Sequence, residues 1–174
     1  TVSRTTCCLL TDKEEIGSVG ATGMRSRFFE NTVAEIMNAM GEYREIELRR
    51  CLTNSCMLSS DVNAAYDPLF AGAFEKNNAS YFGRGMVFSK FTGSRGKSGS
   101  NDANAEYLAR IREMMDDNDI CYQTAELGKV DIGGGGTIAY ILSLYGMEVI
   151  DCGVAVLNMP KQIYMKLSRG IRCS

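Results

Sequence analysis

Histidine and tryptophan are absent from these 174 residues, and proline occurs only twice. Without imidazole, the side chains left to hold a metal ion are carboxylates and thiols. Cys51 and Cys56 are separated by four residues, with no second pair nearby and no histidine anywhere, so a structural zinc site is not expected. An excess of one charge is also missing. Lys plus Arg count 19 against 21 for Asp plus Glu, a net charge of -2, which gives no global pull toward nucleic acid or an anionic membrane. Apolar runs are broken by Gly, Asp or Tyr well short of the length that crosses a bilayer. The first residues carry no Met and no targeting pattern. A chain that opens on a strand-like segment reads as a fragment, and no repeat, linker or domain boundary interrupts it.

Apolar residues make up 45% of the chain, enough for a folded domain with a real core. Seven cysteines, an odd number scattered through apolar runs, read as reduced thiols in a cytoplasmic protein. The pattern along the chain alternates strand and helix. Thr5 to Leu10 (TTCCLL) reads as a strand that stops at Asp12-Lys13-Glu14-Glu15, followed by a glycine-punctuated loop from Gly17 to Gly23. From Arg25 to Met40, Phe28, Phe29, Val33, Ile36, Met37 and Met40 recur at helical spacing, and Gly41 ends the helix.

Cys56 to Ser60 leads into Asp61 as a second strand, and Tyr81 to Phe91 reads as a third, running into a polar loop from Thr92 to Gly99. Asn101 or Asp102 is expected to cap a helix that ends near Asp117, with Ala105, Leu108, Ile111 and Met115 on one face. Ile120 to Gln123 reads as a strand and Thr137 to Tyr145 as a helix. Met147 to Ile150 and Val154 to Leu157 read as one further strand or a pair. The class is α/β, a mixed and mostly parallel sheet flanked by helices.

Acidic residues at strand ends are where such a sheet keeps its chemistry. Glu14 and Glu15 follow the first strand. At a strand-to-loop corner, adjacent glutamates can converge, one toward a metal and its neighbour toward a proton of a metal-bound water. Taken alone, the run reads first as a solvated, helix-capping charge cluster. Asp61 lies between the apolar Met57-Leu58 and Val62, where a carboxylate needs a cation or hydrogen bonds.

Four segments in fixed order carry a more specific signal: DKEEIGS at 12–18, SSDVNAAYDP at 59–68, DIGGGGTIA at 131–139 and DCGVAVLNM at 151–159. Together they resemble the M18 family, the aspartyl aminopeptidase and vacuolar aminopeptidase I group, over residues 1–159, as the C-terminal half of an incomplete zinc-exopeptidase-like catalytic domain. The resemblance implies a metal-dependent aminopeptidase that removes N-terminal residues from peptides through a metal-activated water. It implies Glu14 as general base and acid, and Glu15 and Asp61 as ligands of two divalent ions, zinc, cobalt or manganese. It also implies that Gly134, Gly135, Gly136 and Thr137 line the substrate groove, where a glycine run at a helix start exposes N–H groups. A structural turn is an equal reading of that run. Lys90 is a candidate to meet an acidic substrate side chain, although a solvated lysine is the plainer reading. The implied partners are a peptide substrate and further copies of the chain, as in the family's dodecamers, with neither nucleic acid nor membrane.

The chain also departs from the pattern. The family's upstream histidine and bridging aspartate have no counterpart, and its metal-binding histidine after the last motif is replaced by Pro160, which offers no ligand. Residues 160–174 form a divergent basic tail. An inactive remnant or oligomerisation scaffold is therefore the competing reading. A phosphate loop at Thr92-Gly93-Ser94-Arg95-Gly96-Lys97-Ser98 is a weaker rival, because Phe91 stands where the pattern requires glycine.

Overall fold

The computed structural model describes residues 4–94, 98–126, 128–129 and 138–157. They fall into two compact units, Thr1–Arg50 and Cys51–Ser174, each considered by itself.

The first unit holds a short 3-10 turn, Glu14–Ile16, and helix α1, Phe28–Ala39. Helix α2 follows at Glu45–Thr53. The segment from Thr5 to Leu10 is not a strand: it pairs with nothing among the described residues, and Leu10 is 91% exposed. Its apolar, β-branched composition suits a strand, but a strand exists only against a partner ladder, and the described residues of this unit provide only an isolated bridge between Asp12 and Gly23. Helix α1 forms where its periodicity predicts and is stopped by a complete glycine cap. Gly41 sits at φ 76, its N–H donates to the Asn38 carbonyl (3.0 Å), and the Glu42 N–H donates to Met37 (2.9 Å). Helix α2 has no counterpart in the periodicity reading. Its charges stand at i,i+3 and i,i+4 spacing, with Arg49 to Glu45 at 2.5 Å and Arg44 to Glu47 at 2.7 Å.

The second unit is built on a four-stranded sheet. Its strands are β1 (Cys56–Ala64), β2 (Met86–Ser89), β5 (Tyr122–Thr124) and β6 (Glu148–Val156), in the order β1-β6-β2-β5. Strand β6 runs parallel to β1 over nine residue pairs, Cys56↔Glu148 to Ala64↔Val156, and antiparallel to β2. Strands β2 and β5 are parallel, so two of the three pairings are. The two apolar runs at residues 147–157 are one strand, buried at almost every position, as a central strand must be.

A separate hairpin, β3 (Phe91–Ser94) with β4 (Ser98–Asp102), occupies the region read as a polar loop. Asn101 and Asp102 therefore pair in a strand, and helix α3 (Ala105–Asp117) is capped instead by Asn104, whose side chain accepts from the Glu106 N–H at 2.9 Å. The hairpin also removes the phosphate-loop reading, since a strand rather than a helix follows the glycines. Helix α4 spans Ala139–Ser143. Glycines 133–136, Thr137 and the tail from Pro160 lie outside the described residues.

One sheet face packs against α3. Phe88, Ile150 and Cys152 meet Tyr107, Ile111 and Met115, each large side chain contributing about 1.5–3 kcal/mol by leaving water. The face residues predicted for α3 are confirmed at Ile111 and Met115, with Tyr107 joining them; Leu108 is half-buried and Ala105 exposed.

Candidate functional site

Glu14 and Glu15 occupy the 3-10 turn of the first unit, and both ends of that turn are left-handed. Lys13 has φ 66 and Gly17 φ 84. Ser18 follows at φ 59 and is buried. The Gly17 N–H donates to the Glu14 carbonyl (2.8 Å) and the Ser18 N–H to the Lys13 carbonyl (2.7 Å), which reverses the chain within five residues. Two non-glycine residues in the left-handed region, Lys13 and Ser18, cost about 1 kcal/mol or more each. With three residues per turn, the adjacent carboxylates leave the backbone about a third of a turn apart. Glu14 is half-buried and Glu15 exposed. Beside them, hydrogen bonds from Lys13 hold the Asp12 carboxyl below its ordinary range.

Asp61 lies inside β1, not at its end, and it is exposed. The hydrogen bonding that its apolar neighbours demanded comes from the next residue: its Oδ1 accepts from the Val62 N–H at 2.7 Å. Its register partner on β6 is Gly153. A Cβ at position 153 would lie 1.8 Å from the Asp61 carbonyl oxygen, so only glycine lets the two strands approach this closely.

The same sheet face carries a buried polar layer that the residue-by-residue reading did not single out. Asp151 of β6 accepts a hydrogen bond from the Thr92 hydroxyl at 2.7 Å, and both residues are buried. On β1, Asn63 donates to the Ser89 Oγ (3.0 Å) and accepts from the Ser80 Oγ (2.8 Å). Asp61, Asn63, Ser89, Thr92 and Asp151 line one narrow crevice. The signal was present in the sequence as an aspartate embedded in the apolar run Val149-Ile150-Asp151-Cys152, but its partners come from β3, far along the chain. Ser59, the register partner of Asp151, is buried, and its hydroxyl has no hydrogen-bond partner among the described residues. On the opposite face, burial pushes the Cys152 thiol up to about 11.

Lys90 is paired with Asp102 on the neighbouring strand and is half-exposed. A larger open groove of about 770 Å³ runs along β5 past Arg84, Arg112 and Tyr122, and it shares no residue with the Asp61 crevice. Cys121 is disulfide-bonded, which departs from the reading of uniformly reduced cysteines, whereas Cys51 and Cys56 are free, exposed thiols.

Among the described residues, no group of three or more His, Cys, Asp or Glu side chains is placed to hold a metal ion. No described helix is long and apolar enough to cross a membrane.

A family model described as aminopeptidase I zinc metalloprotease (M18) matches residues 2–166. A probable M18 family aminopeptidase 1 of Clostridium acetobutylicum is 63% identical over 156 residues, covering 90% of this chain and 34% of that protein. The crystal structure of aminopeptidase I from that organism superposes with a TM-score of 0.74, over 86% of this chain and 32% of the other. An M18-family aminopeptidase structure from Thermotoga maritima, 41% identical, gives 0.80 over 86% of this chain and 33% of the other. The S. cerevisiae mApe1 dodecamer, 25% identical, gives 0.64 over 86% and 31%. The chain thus spans about a third of the length of the curated relatives it matches.

Proposed function

We propose, on the premise that this chain belongs to the aminopeptidase I zinc metalloprotease family (M18), that it supplies part of the machinery of a metal-dependent aminopeptidase and does not complete that machinery alone. The substrate is a peptide with a free N-terminus, and the reaction is hydrolysis of its first peptide bond. Glu14 takes the proton-transfer role: its carboxylate accepts a proton from the attacking water and returns one to the departing amine. Glu15 and Asp61 are the carboxylates this chain offers to divalent ions. The backbone of Gly134, Gly135, Gly136 and Thr137 lines the substrate groove. Lys90 meets an acidic substrate side chain only by exchanging it for Asp102. The intact enzyme acts in the cytoplasm as a homo-oligomer, an assembly suggested by likeness to the mApe1 dodecamer.

The donor set carries the second half of this reading. The whole sequence contains no histidine, and the described residues bring no three potential ligands together. Two carboxylates hold a divalent ion weakly, because nothing else offsets its dehydration. The same observation favours the alternative that this molecule is an inactive remnant. The two readings separate on whether activity returns when the rest of an intact relative is supplied.

The direct test is elemental analysis of the purified chain after dialysis against limiting zinc or cobalt. Zero or one weakly held ion per chain is expected, lost in the Glu15→Gln and Asp61→Asn variants. Two tightly held ions would mean that the chain builds a full centre, and the incomplete-site reading would be abandoned.

A further inference from the structure

Among the described residues, Asp151 is the one charged side chain that is buried, 6% exposed, within the apolar run Val149-Ile150-Asp151-Cys152. A carboxylate in such a place costs free energy unless hydrogen bonds or a cation meet it. The Thr92 hydroxyl donates to it at 2.7 Å. Beside it, the buried Ser59 hydroxyl has no partner among the described residues, so side chains alone do not fill the bonding capacity of this layer. The proposed catalytic roles make no use of Asp151.

Its surroundings are shared with Asp61. Side chains alternate faces along a strand, so Ser59, Asp61 and Asn63 of β1 look the same way. Asn63 donates to Ser89 of β2 at 3.0 Å, so side chains of β1 and β2 meet across β6. The crevice lined by Asp61, Asn63, Ser89, Thr92 and Asp151 holds about 10 Å³, on the order of one water molecule. Two ionised carboxylates lining one crevice are acceptors only and cannot bond each other. A water between them donates a proton to each. It also accepts from the Ser89 hydroxyl, whose oxygen is already used in accepting from Asn63 while its own proton is left to give. For Asp61 the consequence is orientation. One bond, from the Val62 N–H to Oδ1 at 2.7 Å, does not fix the plane of a carboxylate; a second bond, to Oδ2, does.

We propose that Asp151 is a positioning residue for Asp61: through one water held in this crevice, it sets the orientation in which Asp61 meets a divalent ion. The inference rests on the family reading of Asp61 as a metal ligand, and it extends that reading to a residue that is not itself a ligand. Groups that orient a ligand in this way typically change metal affinity by about 10–100-fold.

The test is an Mn²⁺ titration of the full 174-residue chain, followed by NMR as paramagnetic broadening of the Val62 amide, which registers even weak binding at the neighbouring Asp61. Asp61→Asn is expected to remove the broadening. Asp151→Asn, close in shape and still able to accept from Thr92, should raise the Mn²⁺ concentration for half-broadening about tenfold. Ser89→Ala, which keeps the carboxylate, should raise it more modestly. Asn101→Ala removes a bond to the Val149 carbonyl outside the crevice; it should lower the urea midpoint and leave the Mn²⁺ response unchanged. An equal loss of affinity in Asn101→Ala would make Asp151 a structural residue only and overturn the inference. An unchanged response in Asp151→Asn overturns it as well, as does an unchanged response in Ser89→Ala should Asp151→Asn fail to fold. If the parent chain shows no broadening at Val62, or Asp61→Asn leaves it intact, Asp61 is no ligand, and the family reading of that residue falls together with the inference.

Discussion

Gly153 and Asp61 form a register pair whose geometry depends on one residue having no side chain. An alanine Cβ at position 153 would stand 1.8 Å from the Asp61 carbonyl oxygen and 2.6 Å from its carbon, both of them backbone atoms that cannot rotate away. Gly153→Ala is therefore expected to cost about 3 kcal/mol or more, near the upper end of overpacking penalties, read as a lower urea midpoint or failure to fold. Thr92→Val is milder. It removes one donor from the buried Asp151 carboxylate, and a loss of about 1–3 kcal/mol is expected from equilibrium unfolding. Cys152 gives a pH test. Its folded thiol is raised from 9.0 to about 11, chiefly by burial. The unfolded chain therefore loses this proton first, so stability is intact below pH 9.0 and declines as pH rises toward 11. The decline is at most about 2–3 kcal/mol before solvent screening is discounted. Comparing urea midpoints at both ends of that window should show a shallower fall in Cys152→Ala than in the parent chain; equal slopes would mean that Cys152 does not titrate as described.

At the scale of elements, the sequence was readable where a pattern is local and unreadable where it depends on a partner. The apolar spacing from Phe28 to Met40 and the glycine after it place α1 to within a few residues, because helix period and cap are both properties of one segment. Gly41→Ala, which forces a left-handed alanine at φ 76, should cost about 1 kcal/mol in thermal unfolding. Thr5 to Leu10 failed for the opposite reason: its composition is that of a strand, but pairing is decided elsewhere. Helix α2 was missed because its sequence, EIELRRCLT, is dominated by charge, and ion pairs on an exposed helix leave little hydrophobic period to detect. Those pairs contribute little, and Arg49→Ala should change stability by no more than about 0.5 kcal/mol. Thr92 to Gly99, most of the hairpin, was read as loop because its glycines and serines mimic one. What makes it a hairpin is Thr92 reaching Asp151 and Asn101 reaching the Val149 carbonyl (3.0 Å), both distant in sequence. The candidate site shows the same division. Glu14, Glu15 and Asp61 are proposed from short motifs alone, while Asp151 and its layer became visible only once β6 lay between β1 and β2.

At the scale of the whole molecule, the sheet is assembled from segments remote in the chain. Strand β6 sits between β1 and β2, yet it is the last strand described, and its pairing with β1 joins residues about ninety positions apart. Within this four-stranded sheet, among the described residues, only β2 and β5 pair without it. The placement governs the order of events during synthesis. While the ribosome is still translating residues before Glu148, β1 has no neighbour in its sheet, and the apolar side chains of β1, β2 and α3 wait without the strand that joins them. Folding of this unit is therefore expected to wait for β6 and to be slow, as non-local pairing generally is. Nascent chains stalled before Glu148 should remain protease-sensitive, and resistance should rise sharply once residues through Val156 have cleared the exit tunnel.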